Sequence, residues 1–374
     1  MSKFILDKRR VILIFVLMAI VGAIYYLEST SIGPTQTTDV QTTSTRTDKP
    51  VLKEGMYPLA PELTGIAGYL NTNGTNLTIA SLEGKVVLVD FWTYTCINCI
   101  RTLPYITAWD TKYGNKGLVI IGVHTPEFGF EKKKENVQAS LERYGIHYPV
   151  VQDNDYGTWQ AFDNHYWPAK YLIDADGYIR YTHFGEGNYE ETEAEIQKLL
   201  TEAGQSTTGV ALTQENTTEH HPTTPEIYAG ALFALQRNQF VGNKKTATRL
   251  ENYTMPATLT QANTIYLDGA WEYGADELTA KSTHTVLALA FTAREANIVA
   301  SAPSPLRVEV LIDGSTVKRA EAGTDVVFDA SGKGFMTVSD ARLYNFYTGT
   351  YDLHRVDFVT QHAGFMVNSF TFGG

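Results

Sequence analysis

Only two cysteines occur in the 374 residues, Cys96 and Cys99. Two thiols at that spacing can cycle through a reversible disulfide, form half of a metal site, or staple a loop. A lone pair excludes a framework of several structural disulfides. The surrounding residues favour the reversible pair. Val86 to Phe91 is a β-rich apolar run that ends just before the cysteines, and Cys96 to Tyr113 carries a helical pattern. The pair therefore lies where a strand passes into a helix. A helix N-terminus offers unpaired N–H groups and partial positive charge, which stabilise a thiolate, so Cys96 is the predicted nucleophile. Cys99, one turn later, lies behind it as the resolving thiol that attacks the mixed disulfide. A zinc site would require further cysteines or a closely spaced His pair, and a copper site a well-placed histidine; neither accompanies the motif. The expectation is no metal and no cofactor beyond the redox-active Cys96–Cys99 disulfide.

Three more residues could serve this chemistry. Asp90 lies in the apolar run, and a carboxylate buried in a strand has its pKa raised and can exchange protons near neutral pH; the alternative is a solvent-facing residue or cap. Pro168 stands ahead of the β-rich run Tyr171 to Asp174, as an ordinary trans proline at a strand start or as a cis one. Glu127 follows a strand end, as a proton shuttle or as a capping or surface carboxylate. Thr93, three residues before Cys96, leaves open a thiol peroxidase, although the proline expected four residues further upstream is absent.

Strand-like runs at Val86 to Phe91, Gly117 to Val123, Tyr171 to Asp174 and Tyr178 to Phe184 alternate with helical patterns at Cys96 to Tyr113, Lys132 to Tyr144, Tyr156 to Phe162 and Glu190 to Ala203. That alternation predicts an α/β domain over residues 58–204. A polar, Thr-rich linker follows at 205–224, containing His220 and His221, which read as solvated residues. From 225 to 374, after one helix near Pro225 to Leu235, seven short strand-like runs with turn signals such as Asp313-Gly314 predict an all-β sandwich, jelly-roll-like in form.

At the N-terminus, residues 1–28 place Lys3, Lys8, Arg9 and Arg10 before an apolar run from Val11 to Leu27. The charge order orients a single transmembrane helix with its N-terminus in the cytoplasm and the rest of the chain exported; a cleaved signal peptide, with Val21-Gly22-Ala23 at the cleavage site, is the alternative. Residues 29–57 form a Thr/Ser-rich linker that cannot offset the entropy of ordering. The net charge of -11 argues against a nucleic-acid partner, which demands clustered Lys and Arg.

Val89-Asp90-Phe91-Trp92, three residues ahead of Cys96-Ile97-Asn98-Cys99, resembles the active site of the thioredoxin superfamily. The resemblance implies a thioredoxin sheet with flanking helices, an Asp90 buried beneath the pair that takes the proton of the second cysteine, and a cis-proline at Pro168. It also implies that Trp92, Trp167 and Pro168 position substrate against the sulfur. More closely, Trp92 to Cys99, His124 to Glu127, Tyr166 to Ala169, Phe184 to Gly187 and Thr224 to Gly230 are similar to the soluble portion of the DipZ-type family, in the cytochrome c biogenesis and TlpA-like branch. That likeness implies a carbohydrate-binding-module-like β-sandwich, a reductive direction, disulfide-bearing or dithiol client proteins, and a Glu127 near the cysteines. Full-length family members carry a multi-helix electron-transferring membrane domain where this sequence has one apolar run. A separate membrane electron donor of CcdA/DsbD type is therefore implied.

In the second half, Trp271, Tyr273, Tyr344, Phe346, Tyr347 and Tyr351 could stack on a glycan, or could be cross-strand and core packing. A non-enzymatic glycan-binding or scaffold protein with an inert disulfide remains the alternative to an enzyme.

Overall fold

The computed structural model describes residues 53, 55–214, 221–242 and 250–374. The anchor expected at 1–28, the linker up to residue 52 and residues 215–220 of the second linker lie outside the described residues. Among the described residues no helix is long and apolar enough to cross a membrane.

The first half runs β1 (Gly68–Leu70), β2 (Val86–Trp92), α1 (Ile97–Tyr113), β3 (Leu118–His124), α2 (Lys134–Tyr144), β4 (Val150–Gln152), α3 (Gly157–Ala161), β5 (Ala169–Ile173), β6 (Ile179–Phe184) and α4 (Tyr189–Glu202). The strands pair in the order β1-β4-β3-β2-β5-β6. β2 runs parallel to β3 and antiparallel to β5, so it sits at the centre of the sheet. All seven of its residues are buried, which explains a continuous apolar run in place of an alternating one. Alternation survives in which way they face. Val87, Val89 and Phe91 join one cluster, where Phe91 meets the rings of Trp159, Phe162 and Tyr171 edge-on. Val86, Leu88 and Trp92 join the opposite cluster with Cys99, Leu103, Ile106 and Trp109 of α1. Asp90 has the parity of the second set, so it faces the cysteine helix.

The second half is all-β apart from one short helix: β7 (Ile227–Tyr228), α5 (Ala231–Ala234), β8 (Leu250–Tyr253), β9 (Tyr266–Tyr273), β10 (Leu278–Ala280), β11 (Thr285–Ser301), β12 (Leu306–Ile312), β13 (Ser315–Thr316), β14 (Val327–Phe328), β15 (Gly334–Val338), β16 (Arg342–Thr360) and β17 (Met366–Gly373). The expected all-β domain is present, and among the described residues its strands are hydrogen-bonded into one sheet of 11. Two strands are long, β11 with 17 residues and β16 with 19, and they pair with each other along most of their length. β16 carries a bulge: Glu295 faces Thr348 and Ala293 faces Asp352, so the three residues Gly349 to Tyr351 stand opposite the single Arg294. β11 pairs with β9 through Val286 to Ala288 and with β17 through Glu295 to Ser301, while β10 bridges β9 and β17, so these four strands close into a ring. The helix expected from Pro225 to Leu235 is shorter, because Ile227 and Tyr228 pair with β17.

Residues 50–374 form one compact unit. The halves meet in an apolar patch where Ile97 and Ile100 of the cysteine helix, with Phe128 and Phe130, pack on Tyr228, Phe233, Val299 and Leu343. Arg101 also reaches Glu295 at 3.0 Å. On either side of residues 215–220, the linker expected at 205–224 is tied to the fold: the Thr213 backbone N–H donates to Glu193 at 2.7 Å and the Thr292 backbone N–H donates to the Thr224 hydroxyl at 2.8 Å.

Candidate active site

Helix α1 begins one residue after Cys96, which serves as its N-cap in extended conformation (φ -76°, ψ 114°). The Cys96 Sγ accepts the backbone N–H of Cys99 at 3.3 Å. One of the helix's orphan donors is therefore aimed at the sulfur, the arrangement that favours a thiolate. Cys96 is half-buried, whereas Cys99 is 1% exposed, and both are free thiols. Burial pushes the Cys99 thiol well above its ordinary range, and the hydrogen bond and charge of Cys96 push it further. One sulfur is reachable and the other is held protonated behind it.

Asp90 lies 1% exposed on the same side of β2 as Cys99. Burial raises its carboxyl to about 7, against an opposing pull from Lys170, its cross-strand partner on β5. Its Oδ1 makes no hydrogen bond among the described residues. Gly122 is its register partner on β3, and a Cβ there would meet Trp92 Nε1 at 2.9 Å and the Tyr148 ring at 3.2 Å, so glycine keeps this corner open. A buried carboxyl poised near neutrality, with a vacant lone pair and in electrostatic reach of Cys99, can accept that thiol's proton.

The Trp167–Pro168 peptide bond is cis. Ala169 is the register partner of Phe91, which brings Pro168 alongside the end of β2, next to the loop carrying the cysteines. Trp167 is half-buried against the cluster that holds both cysteines and lies 4.4 Å from the Trp159 ring. Trp92 departs from expectation. It is wholly buried, with its ring edge-on to His124 at 5.3 Å, so it supports the site by packing and cannot touch substrate directly. Burial lowers His124 to about 3, and it stays neutral.

Glu127 is neither a helix cap nor a free surface carboxylate. It accepts the Tyr228 phenol of the second half at 2.5 Å, and the same phenol lies 2.9 Å from Glu226. Burial and the Glu226 charge push the Glu127 carboxyl up. Its bonds run to the second half, not to the cysteines. Sequence reasoning missed Glu131, which is fully buried and accepts from Thr93 and Thr95, the residues on either side of Tyr94 just before Cys96. Its only sequence signal is a carboxylate directly following the aromatic stretch Phe128-Gly129-Phe130.

Beside Asn98 a cleft of about 980 Å³ opens between the halves, with Arg101, Tyr105 and Tyr189 on one wall and Arg294, Glu295 and Phe372 on the other. In the second half, Trp271, Tyr344, Phe346 and Tyr347 are core residues, so they pack and do not present a sugar-stacking face. Tyr273 and Tyr351 are half-buried.

Residues 54–200 match the family model described as Redoxin, and residues 224–373 match that described as Thioredoxin like C-terminal domain. Over 259 residues the chain is 39% identical to Protein DipZ of Mycobacterium tuberculosis (strain CDC 1551 / Oshkosh), an alignment covering 67% of this chain and 36% of DipZ. The chain thus spans about a third of that relative's length. It is 28% identical over 142 residues to the thiol-disulfide oxidoreductase YkuV of Bacillus subtilis (strain 168), covering 38% of this chain and 94% of YkuV. A solution structure of a thioredoxin-like protein in the oxidized form is 28% identical, covers 40% of this chain and 98% of its own, and superposes with a TM-score of 0.36.

Proposed function

This chain is a thioredoxin-superfamily protein, a redoxin domain leading into a thioredoxin-like C-terminal domain and homologous to DipZ, and on that footing we propose that it is a thiol-disulfide oxidoreductase acting through Cys96 and Cys99. The carrying observation is the Cys96 sulfur at the start of α1, half-buried and accepting the Cys99 amide, above a buried Cys99 that shares its side of the sheet with Asp90.

The Cys96 thiolate attacks a client disulfide, forming a mixed disulfide and releasing one client thiolate. Cys99 loses its proton to Asp90 and attacks the Cys96 sulfur; the Cys96–Cys99 disulfide forms and the second client thiolate leaves. The client gains two electrons and the enzyme is left oxidised. Its dithiol is restored by a membrane electron donor of CcdA/DsbD type, which takes up the disulfide by the reverse exchange. Clients are protein segments bearing disulfides, and the cleft lined by Asn98, two residues along the chain from Cys96, is large enough to take such a segment. The basic-then-apolar order of residues 3–27 supports a membrane-tethered protein with this site on the extracytoplasmic side.

The test is reduction of insulin disulfides by the dithiothreitol-recycled protein, with the Cys96–Cys99 midpoint measured against glutathione. A reducing client enzyme shows turnover and a midpoint below its compartment's poise. No turnover with any dithiol donor sinks the reading.

A further inference from the structure

The loop Thr93-Tyr94-Thr95 between β2 and Cys96 has little regular structure, yet it must hold a nucleophile within tenths of an ångström. Its fixing point is not in the loop. Glu131 lies wholly buried in the 3-10 turn Gly129–Lys132, and its two oxygens divide their work. Oε1 accepts the Thr93 hydroxyl at 2.7 Å and the Thr95 hydroxyl at 2.5 Å. Oε2 accepts the backbone N–H groups of Glu127 at 2.6 Å and Phe128 at 2.9 Å. Burial pushes the Glu131 carboxyl up, and the hydrogen bonds from Thr95, Phe128, Thr93 and Glu127 oppose that push; with four donors on its two oxygens, the buried group is fully partnered.

Thr93 carries the constraint to both sulfur-bearing residues. Its carbonyl accepts the Cys96 N–H at 3.3 Å, and its backbone also hydrogen-bonds the Cys99 sulfur. Thr95 adjoins Cys96 directly. The residue that Glu131 holds on its other side, Glu127, is itself bonded to Tyr228 of the C-terminal domain. A continuous polar chain therefore runs from the second domain through Glu127 and Glu131 to the loop of the nucleophile.

We propose that Glu131 is a positioning residue for the dithiol, clamping Thr93 and Thr95 so that Cys96 stays at the helix start in line with the Cys99 amide. This rests on the reading of Cys96 as the exchanging thiol. It is a role in geometry: the hydrogen bonds of Glu131 go to Thr93, Thr95, Glu127 and Phe128 and not to a sulfur, and removing them frees the loop to drift from the helix start where the Cys99 amide meets the Cys96 sulfur.

The test is the pH profile of Cys96 alkylation by iodoacetamide, read by peptide mass spectrometry on the purified chain, for wild type, Glu131→Ala, Glu131→Gln and Thr95→Val. Loss of the clamp in Glu131→Ala moves the alkylation midpoint up by about half a pH unit, a roughly threefold loss of thiolate at neutral pH. Glu131→Gln, which keeps one acceptor and size, lies between the two. Thr95→Val removes one donor without changing side-chain volume and moves the midpoint the same way by less; it decides the matter if Glu131→Ala does not fold. Midpoints at or below the wild-type value in the folded variants overturn the proposal. Insulin reduction by the same wild-type sample separates the two claims: an inert wild type sinks the oxidoreductase reading, while the alkylation profiles still judge Glu131.

Discussion

The two halves of the molecule bury different things. In the α/β half, Asp90, Glu131, Asp153, Lys170, Asp174, Glu193 and His124 all lie in the interior, whereas among the described residues of the β half the charged residue so placed is Asp357, which is paired with Arg355. The β half instead fills its interior with Trp271, Phe291, Phe346, Phe358 and small apolar residues. Removing ionisable groups from water is costly unless they are paired, so a core that keeps several of them keeps them for a task or a tie. Glu193 is a tie, bonded to Trp109, Lys112, Tyr113 and Thr213. Asp90, with an oxygen that has no partner among the described residues, is not.

The contrast breaks most sharply at the cysteines. Cys96→Ser is expected to lower disulfide exchange by about a thousandfold or more, since the nucleophile itself is gone, with the thermal midpoint nearly unchanged. The opposite pattern is expected at the centre of the β half. Trp271→Ala removes a fully buried ring whose Nε1 donates to Asp268, and should cost about 3–5 kcal/mol in denaturant unfolding while the exchange rate of the folded protein holds. A Trp271 variant that loses exchange in proportion would erase the division of labour between the halves.

Asp90 sharpens the comparison through pH. Its carboxyl is raised to about 7 in the folded protein from an ordinary 3.8, so the folded state holds a proton that the unfolded chain releases. The associated stability is complete below the unfolded value and is lost as pH rises through the folded one. Asp90→Asn removes that penalty. Chemical denaturation should show the variant more stable at pH 8, by up to about 4 kcal/mol, with the advantage shrinking toward pH 4. Exchange should slow by about ten- to a hundredfold as the proton acceptor is lost. The smallest effect is expected at Glu193. Burial pushes its carboxyl up, but hydrogen bonds from Lys112, Tyr113 and Thr213 bring it below its usual value, so its contribution is present above the unfolded pKa and lost as pH falls through the folded one. Glu193→Gln should cost about 1–3 kcal/mol at pH 7, and the cost should fade on acidification.

Much of this contrast was legible in the sequence, because it rests on local patterns. The apolar run of β2, the helix after it and the cysteine spacing read directly, and Asp90 stood out as the one charge in that run. What required the fold was long-range. Glu131 meets the loop from 36 and 38 positions away, and no local periodicity announces such a bond. The short strands β1 and β4 have three residues each, too few to show alternation. In the β half, the runs expected to be short are joined into long strands, as where β16 passes through a bulge at Gly349 to Tyr351 held by its neighbour β11. The burial of Trp92 likewise follows from β2 being central, a fact of sheet order that one strand's sequence does not contain.

The central claim, that Cys96 is the reachable thiol and Cys99 the guarded one, is tested most directly by trapping. Mixed with an excess of a disulfide-bearing protein, a Cys99→Ser variant should accumulate a mixed disulfide through Cys96, and a Cys96→Ser variant should accumulate none. Adducts on Cys99 at a comparable rate, or none on Cys96, would contradict the account.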